Sequence, residues 1–219
     1  MNISVAIDGP AGAGKSSVSK AVAKKTGFIY VDTGAMYRAC ALYAIKNKLK
    51  IGRESLCPVL DKIDVGIKYI EGGQRIFLNR EDVTDDIRSA EASMGASAIA
   101  VIPEVRLKLV ELQRALAREN NVIMDGRDIG TYVLPNADLK IYLTASADAR
   151  AKRRFAEMSE KTDLESVKRD IIKRDENDMN REFAPLKKAE DAIVIDSSDM
   201  TFDEVTERVF ELINEIGNN

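Results

Sequence analysis

Short apolar segments alternate with helical periodicities along most of the chain. Residues 3–7 and 139–143 are rich in β-branched and aliphatic side chains and predict buried strands. Between such segments, apolar residues recur every three to four positions, which predicts amphipathic helices. The predicted helix boundaries are a stop at Gly27, a cap at Thr33, a first position at Pro103, and capping boxes of Thr162 with Glu165 and of Thr201 with Glu204. This alternation predicts an α/β fold with a parallel sheet flanked by helices.

Residues 61–88 follow a different pattern. Alternating apolar residues at 65–69, the pair Gly72-Gly73 and the apolar run at 76–78 predict a β-hairpin. A turn at 79–82 leads to a third short strand expected at Val83. We therefore expect a single domain over residues 1–219 with a small antiparallel sheet inserted at 61–88.

Composition narrows the classes of function. The chain has 33 basic and 36 acidic residues and a net charge of −3, so we expect no binding to nucleic acid or to a membrane. Two lone cysteines, Cys40 and Cys57, and the absence of an export signal favour a cytoplasmic protein with reduced thiols. The sequence contains no histidine, which excludes Ser-His-Asp and Cys-His catalysis and His-ligated zinc.

The segment after the first predicted strand matches the phosphate-loop pattern G-x-x-x-x-G-K-S at every fixed position. Glycines let backbone N–H groups turn toward phosphate oxygens, and the next helix directs its positive end at the same anion. Lys15 can reach the β- and γ-phosphates, and Ser16 can ligate Mg²⁺. The candidate ATP-binding residues are Gly9, Pro10, Ala11, Gly12, Ala13, Gly14, Lys15, Ser16 and Ser17.

The loop alone is compatible with a kinase, a GTPase or an ATP-driven binding protein. A GTPase should carry Asn-Lys-x-Asp, but Asn47-Lys48 is followed by Leu49-Lys50. A motor ATPase usually has an acidic pair after a later strand, whereas Asp125 is followed by Gly126 and Arg127. Two classes remain: a kinase, and a nucleotide-dependent binding protein without turnover.

Three further segments single out one family. They are D-T-G-A-M-Y-R at 32–38, D-G-R-D-I-G-T at 125–131 and N-R-E-F-A-P-L at 180–186. The first two follow predicted strands, at the edge where α/β sheets bind ligands. Together with the phosphate loop and the insert at 61–88, they resemble the bacterial cytidylate kinases of the nucleoside monophosphate kinase family over nearly the whole chain.

This resemblance implies a monomeric enzyme of pyrimidine nucleotide metabolism that transfers a phosphoryl group from ATP·Mg²⁺ to CMP or dCMP. It implies that the insert at 61–88 belongs to the CMP-binding part and that a lid covers about residues 148–165. The implied monophosphate-binding residues are Thr33, Arg38, Arg127 and Arg181. Ser97, Arg106 and Asp128 would read cytosine, and Arg174 and Asp178 would lie near the sugar. The implied catalytic residues are Lys15, Arg127, Arg150, Arg154 and Arg181.

Some of these roles have independent physical support. Arg174, Asp178 and Arg181 stand at i, i+4 and i+7, so they share one helix face. A carboxylate at Asp128 suits cytosine because the base offers an N4 amino donor, whereas uracil offers a carbonyl oxygen.

Each residue also has a plainer interpretation. The arginines at 150, 153 and 154 could form a solvated helix face, and Asp178 with Arg181 a surface ion pair. Asp125 could orient a magnesium-bound water or simply hydrogen-bond to the phosphate loop. A kinase for another nucleoside monophosphate also stays open.

Overall fold

The computed structural model describes residues 2–70, 73–158 and 163–217. The chain divides into a first unit, Met1–Tyr30 with Ala117–Asn219, and a second unit, Val31–Leu116. The helices are α1 (Lys15–Thr26), α2 (Thr33–Lys46), α3 (Arg53–Leu56), α4 (Ala90–Ile99), α5 (Pro103–Glu119), α6 (Ala147–Glu157), α7 (Leu164–Met179) and α8 (Phe202–Gly217). The strands are β1 (Ser4–Asp8), β2 (Ile29–Asp32), β3 (Val65–Ile70), β4 (Gly73–Leu78), β5 (Glu81–Asp82), β6 (Val122–Gly126), β7 (Leu139–Thr144) and β8 (Ile193–Asp196).

A five-stranded sheet with the order β2-β6-β1-β7-β8 confirms the predicted α/β architecture. Strand β1 pairs in parallel with β6 and β7, and β7 pairs in parallel with β8. Asp8 at the end of β1 lies opposite Gly126 at the end of β6. The phosphate loop and the 125–131 segment therefore leave the sheet at the same carboxyl edge, where α/β folds bind ligands.

The core of the first unit forms where helices cover this sheet. Val5 and Ile7 of β1 are fully buried with Val22 of α1 and Val209 of α8 in one apolar cluster. Helix α1 ends at Gly27, whose left-handed φ of 73° terminates the helix as predicted. This core holds the start of α1, and with it the phosphate loop, against the sheet.

The second unit contains the predicted insert as a three-stranded antiparallel sheet, β3-β4-β5. The hairpin is confirmed, with Val65 opposite Leu78. The third strand was placed too late at Val83, because β5 is Glu81–Asp82. Asn79 and Arg80 both adopt positive φ, so a two-residue turn reverses the chain and pairing resumes at once. Gly72 of the predicted Gly72-Gly73 turn lies outside the described residues.

Helices α6 and α7 form a hairpin in the first unit with its own small apolar cluster of Ala151, Val167 and Ile171. Asp163 caps α7 by accepting from the N–H groups of Glu165 and Ser166. The predicted capping residue Thr162 lies outside the described residues.

The capping box that starts α8 is confirmed, since Thr201 and Glu204 exchange side chain-to-backbone hydrogen bonds. Within the described ranges, no helix is long and apolar enough to cross a membrane.

Candidate active site

The phosphate loop follows β1 and depends on its glycines. Gly9 has φ of 150°, and a Cβ there would lie 2.0 Å from the carbonyl oxygen of Leu143 in β7. Gly12 and Gly14 adopt left-handed φ values of 75° and 87°, and Gly14 is the N-cap of α1. Side chains at these positions would clash or strain the backbone, so the glycine spacing of the motif has a direct structural cause.

Lys15, the first residue of α1, is buried at the loop. Its Nζ donates to the carbonyl oxygen of Pro10 at 2.7 Å. Burial, and next the positive charge of Arg127, lower the pKa of Lys15 to about 7. A bound phosphate would supply the negative charge that restores the ammonium form.

Ser16 and Asp125 place two oxygen ligands together beside the loop. The hydroxyl of Ser16 donates to Oδ2 of Asp125 at 2.8 Å, and the hydroxyl of Tyr30 donates to Oδ1 of Asp125 at 2.8 Å. A hydroxyl and a carboxylate are the hard donors that suit Mg²⁺. Among the described residues, no group of three or more acidic or cysteine side chains could hold a metal alone. This donor set fits Mg²⁺ that is held largely by nucleotide phosphates.

Asp8 is a site residue that the sequence reasoning missed. Its two carboxylate oxygens accept from the N–H groups of Ile129 and Gly130 at 2.8 Å and 2.7 Å. These N–H groups open the helical turn Ile129–Val133, so a residue of β1 caps the turn that follows Asp128. Burial raises the pKa of Asp8 to about 6, although the two N–H donors oppose that shift. A carboxylate at the end of an otherwise apolar strand was the available signal.

Arg127, Asp178 and Arg181 form a compact group, here called the arginine cluster. Nε of Arg127 donates to Oδ2 of Asp178 at 2.8 Å, and Nε of Arg181 donates to the carbonyl oxygen of Asp178 at 3.3 Å. The guanidinium of Arg181 also lies 4.0 Å from Oδ1 of Asp178. All three side chains are largely buried, so the cluster is not the surface ion pair of the plainer interpretation.

The remaining predicted residues of this unit lie around the same region. Arg174 and Arg127 are close enough to Lys15 for their charges to affect its pKa. Asp128 is buried, and its negative charge contributes to the raised pKa of Asp8. The carboxyl edge of the sheet thus brings Lys15, Arg127, Asp128 and Arg174 together.

Arg150 is not on the outer part of the α6–α7 hairpin. It is buried at the base of the hairpin, where Nη1 donates to the carbonyl oxygen of Ala11 at 2.8 Å and to the carboxylate of Asp175. Nε of Arg150 donates to the carbonyl oxygen of Ala145 at 2.9 Å. Asp175 was missed by the sequence reasoning, although it stands four residues after buried Ile171 on the same helix face.

The other two arginines of α6 lie elsewhere. Arg153 donates from Nη1 to the hydroxyl of Ser197 at 3.0 Å, at the end of β8. Arg154 is exposed and pairs with Glu157 at 3.4 Å. Arg150 therefore contacts the phosphate loop through its side chain, whereas Arg154 pairs with Glu157, and the catalytic role of Arg154 stays a prediction.

In the second unit, the 32–38 segment opens α2. Asp32 is the N-cap, because its Oδ1 accepts from the N–H of Ala35 at 2.8 Å. The expectation that Thr33 caps this helix was wrong, since Thr33 already belongs to the first turn. Oδ2 of Asp32 accepts from Nη2 of Arg38 at 3.0 Å. Asp32 thus holds Arg38 at the start of the helix that also carries Thr33.

Two predicted cytosine-reading residues also belong to the second unit. Arg106 on α5 is only 1% exposed; it donates to the carbonyl oxygen of Ala100 at 3.0 Å and its guanidinium lies 5.6 Å from the ring centre of Tyr37. Ser97 on α4 is exposed. Contact of either residue with a base stays a prediction.

A parallel sheet, a glycine-built phosphate loop at its carboxyl edge and a buried lysine at the start of α1 give this chain the P-loop kinase fold with a nucleotide-binding site. A gluconokinase from Sinorhizobium meliloti shares the fold, with a TM-score of 0.50, 10% identity and coverage of 99% of this chain and 94% of that chain.

Comparison by sequence identifies the family. The cytidylate kinase family model matches residues 5–215. The cytidylate kinase of Caldicellulosiruptor bescii is 52% identical and that of a Geobacillus strain is 50% identical. The alignments cover 99% and 98% of this chain and 98% and 97% of those proteins. The chain belongs to the cytidylate kinase family and is a nucleoside monophosphate kinase.

Proposed function

We propose that this enzyme transfers the γ-phosphoryl group of ATP to CMP and dCMP and forms CDP and dCDP. The observation that carries the proposal is the arginine cluster beside the phosphate loop. Asp178 holds Arg127 and Arg181, and the positive charge of Arg127 is close enough to Lys15 to lower the pKa of that lysine. A second, strongly positive region next to an ATP-binding loop suits a second phosphate, which is the acceptor of a monophosphate kinase.

The phosphate loop would bind ATP through its backbone N–H groups, with Lys15 at the β- and γ-phosphates. Mg²⁺ would be held by Ser16 and, directly or through water, by Asp125, and when bound it neutralises phosphate charge. Arg127 and Arg181 would bind the phosphate of CMP and hold it in line with the transferring group. Such positioning supplies most of the catalysis in phosphoryl transfer.

This chemistry needs no general base. The second pKa of a nucleoside monophosphate is about 6, so its phosphate is already a dianion near neutral pH and can attack directly. A site without histidine is therefore sufficient. Closure of the proposed lid at about residues 148–165 would exclude water and limit wasteful hydrolysis of ATP.

Recognition of the base is proposed for Asp128, with Ser97 and Arg106 as further contacts. Arg174 and Asp178 would lie near the sugar, and Thr33 and Arg38 of the second unit would contact the monophosphate. These assignments rest on the resemblance of the motifs. The insert at 61–88 as a CMP-binding subdomain, the monomeric state and the cytoplasmic location stay predictions of the same kind.

A coupled assay of ADP release with a panel of nucleoside monophosphates tests the proposal. We expect CMP and dCMP to support turnover, chromatography to detect CDP and dCDP, and chelation of Mg²⁺ to stop the reaction. Equal rates with AMP and no CDP would refute the substrate assignment. Binding of ATP and CMP without any ADP release would favour a nucleotide-dependent binding protein instead.

A further inference from the structure

A closed ring of hydrogen bonds joins the phosphate loop to the α6–α7 hairpin. The N–H of Ala11 donates to Oδ1 of Asp175 at 2.9 Å. Oδ2 of Asp175 accepts from Nη1 of Arg150 at 2.5 Å, and the same nitrogen donates to the carbonyl oxygen of Ala11 at 2.8 Å. The ring therefore holds the peptide groups on both sides of Ala11.

The base of the hairpin also packs directly on the loop. A Cβ at Gly12 would lie 3.3 Å from Cβ of Arg150 and 3.8 Å from Cδ1 of Ile171. The side chains of Arg150 and Asp175 are only 8% and 5% exposed. Because the ring is buried and all its members are bonded to one another, the loop shape and the position of α7 depend on each other.

Stability alone is a poor explanation of this ion pair. Removing two charges from water costs free energy that their attraction often fails to recover, and apolar side chains of similar volume frequently replace buried pairs without loss of stability. Buried charges that hydrogen-bond to the backbone of a binding loop are better explained by preorganisation. A loop that is already in its bound shape binds its ligand with less loss of entropy.

We propose that Asp175 is a positioning residue that holds the phosphate loop in its nucleotide-binding shape, acting through the N–H of Ala11 and through Arg150. The inference rests on the proposed function of the loop in ATP binding. Arg150 then acts on every nucleotide that occupies the loop, including ADP, and not only on the transferring phosphoryl group. ADP lacks that group, so its binding separates the two roles.

The first test is the affinity of Asp175→Asn for MgADP, measured by calorimetry without CMP. Asn can still accept one hydrogen bond, but it leaves the buried guanidinium of Arg150 without its counter-charge. We expect MgADP to bind about tenfold to a hundredfold more weakly, the range for outer partners that orient a binding group. The KM for CMP at saturating ATP should change much less. Arg169→Gln is the matched control, since Arg169 is an exposed residue of the same helix.

A second variant separates positioning from folding. Arg150→Met/Asp175→Leu removes both charges and leaves none unpaired, so its melting temperature should equal or exceed that of Asp175→Asn. Its MgADP affinity should nevertheless stay as weak as that of the single variant. Normal MgADP affinity in either folded variant would overturn the proposal.

The affinity for MgADP is measured without CMP, so this test does not depend on which acceptor the enzyme phosphorylates. If the unmodified enzyme bound MgADP but formed no CDP, the proposed function would fail while the role of Asp175 could still be judged.

Discussion

The phosphate loop and the arginine cluster are both positively charged, but different chemical groups supply the charge in each. The loop relies on backbone N–H groups and one lysine, and burial holds the pKa of Lys15 down to about 7. The cluster relies on the planar guanidinium groups of Arg127 and Arg181, each of which presents several N–H donors in a fixed geometry. The loop is held by its glycines and by Asp175, whereas Asp178 holds the arginines of the cluster.

This difference assigns different consequences to the two regions. Damage to the loop should affect every nucleotide that carries a β-phosphate, because backbone donors do not distinguish ATP from ADP. Damage to the cluster should affect the acceptor and the transfer step.

Lys15→Ala should reduce kcat by about 10²–10³, the scale for losing one preorganised donor of positive charge. The affinity for CMP should change much less, because Lys15 belongs to the loop. Steady-state kinetics with both substrates varied measures both effects. Lys24→Ala, an exposed residue on the same helix, is the control. A kcat near that of the unmodified enzyme would remove the loop from the catalytic mechanism.

Arg181→Ala should weaken CMP binding by about tenfold to a hundredfold, as expected for loss of a hydrogen bond to a charged group. The value of kcat should fall as well, because the same guanidinium group is proposed to stabilise the transition state. Calorimetry with CMP and with MgADP separates the regions, since MgADP should bind normally. Arg208→Gln on α8 is an exposed arginine control. Unchanged CMP affinity would return the cluster to a purely structural role.

The phosphate loop and the fold could be predicted because both depend on features that are local in the sequence. A phosphate loop needs glycine at fixed positions because of backbone conformation, as the 2.0 Å approach at Gly9 shows. Strands and helices were recognisable because burial imposes a period on apolar residues. The third strand of the insert was misplaced because the two-residue turn before it was not recognisable. Asn79 and Arg80 both adopt positive φ, which is uncommon for an arginine.

The supporting carboxylates were harder to predict. Asp8 and Asp175 act on backbone N–H groups 121 and 164 positions away along the chain, so only the tertiary fold reveals their partners. The roles of Arg150 and Arg154 could not be separated for the same reason. Adjacent turns of one helix place one of these arginines on the loop and the other in solvent.

Asp128→Asn tests whether the segment beside the cluster reads the base. The ratio of kcat/KM for CMP to that for UMP should fall by a factor equivalent to about 1–3 kcal/mol, since Asn can donate to uracil O4 where Asp can only repel it. Asp8, and not the side chain of Asp128, caps the following turn, so loss of this cap is not an expected result of the Asp128 change. Asp8→Asn is the matched control and should lower the rates with both substrates together. A constant ratio would mean that Asp128 does not recognise the base, and Ser97 and Arg106 would be the next candidates.

The smallest effect concerns the charge of Lys15. With a pKa of about 7 in the free enzyme, Lys15 is largely neutral at pH 8. Bound phosphates favour the ammonium form and raise this pKa, so MgATP binding at pH 8 should take up as much as about one proton per site. Calorimetry in buffers of different ionisation enthalpy measures that uptake. The uptake should decline below pH 7, where Lys15 is already charged.

Asp8 titrates near pH 6 and does not interfere at pH 8. Lys15→Arg places a permanent cation in the loop and makes it resemble the arginine cluster, so proton uptake should disappear in that variant. Equal uptake in the variant and the unmodified enzyme would mean that another group titrates and that the two regions do not differ in this way.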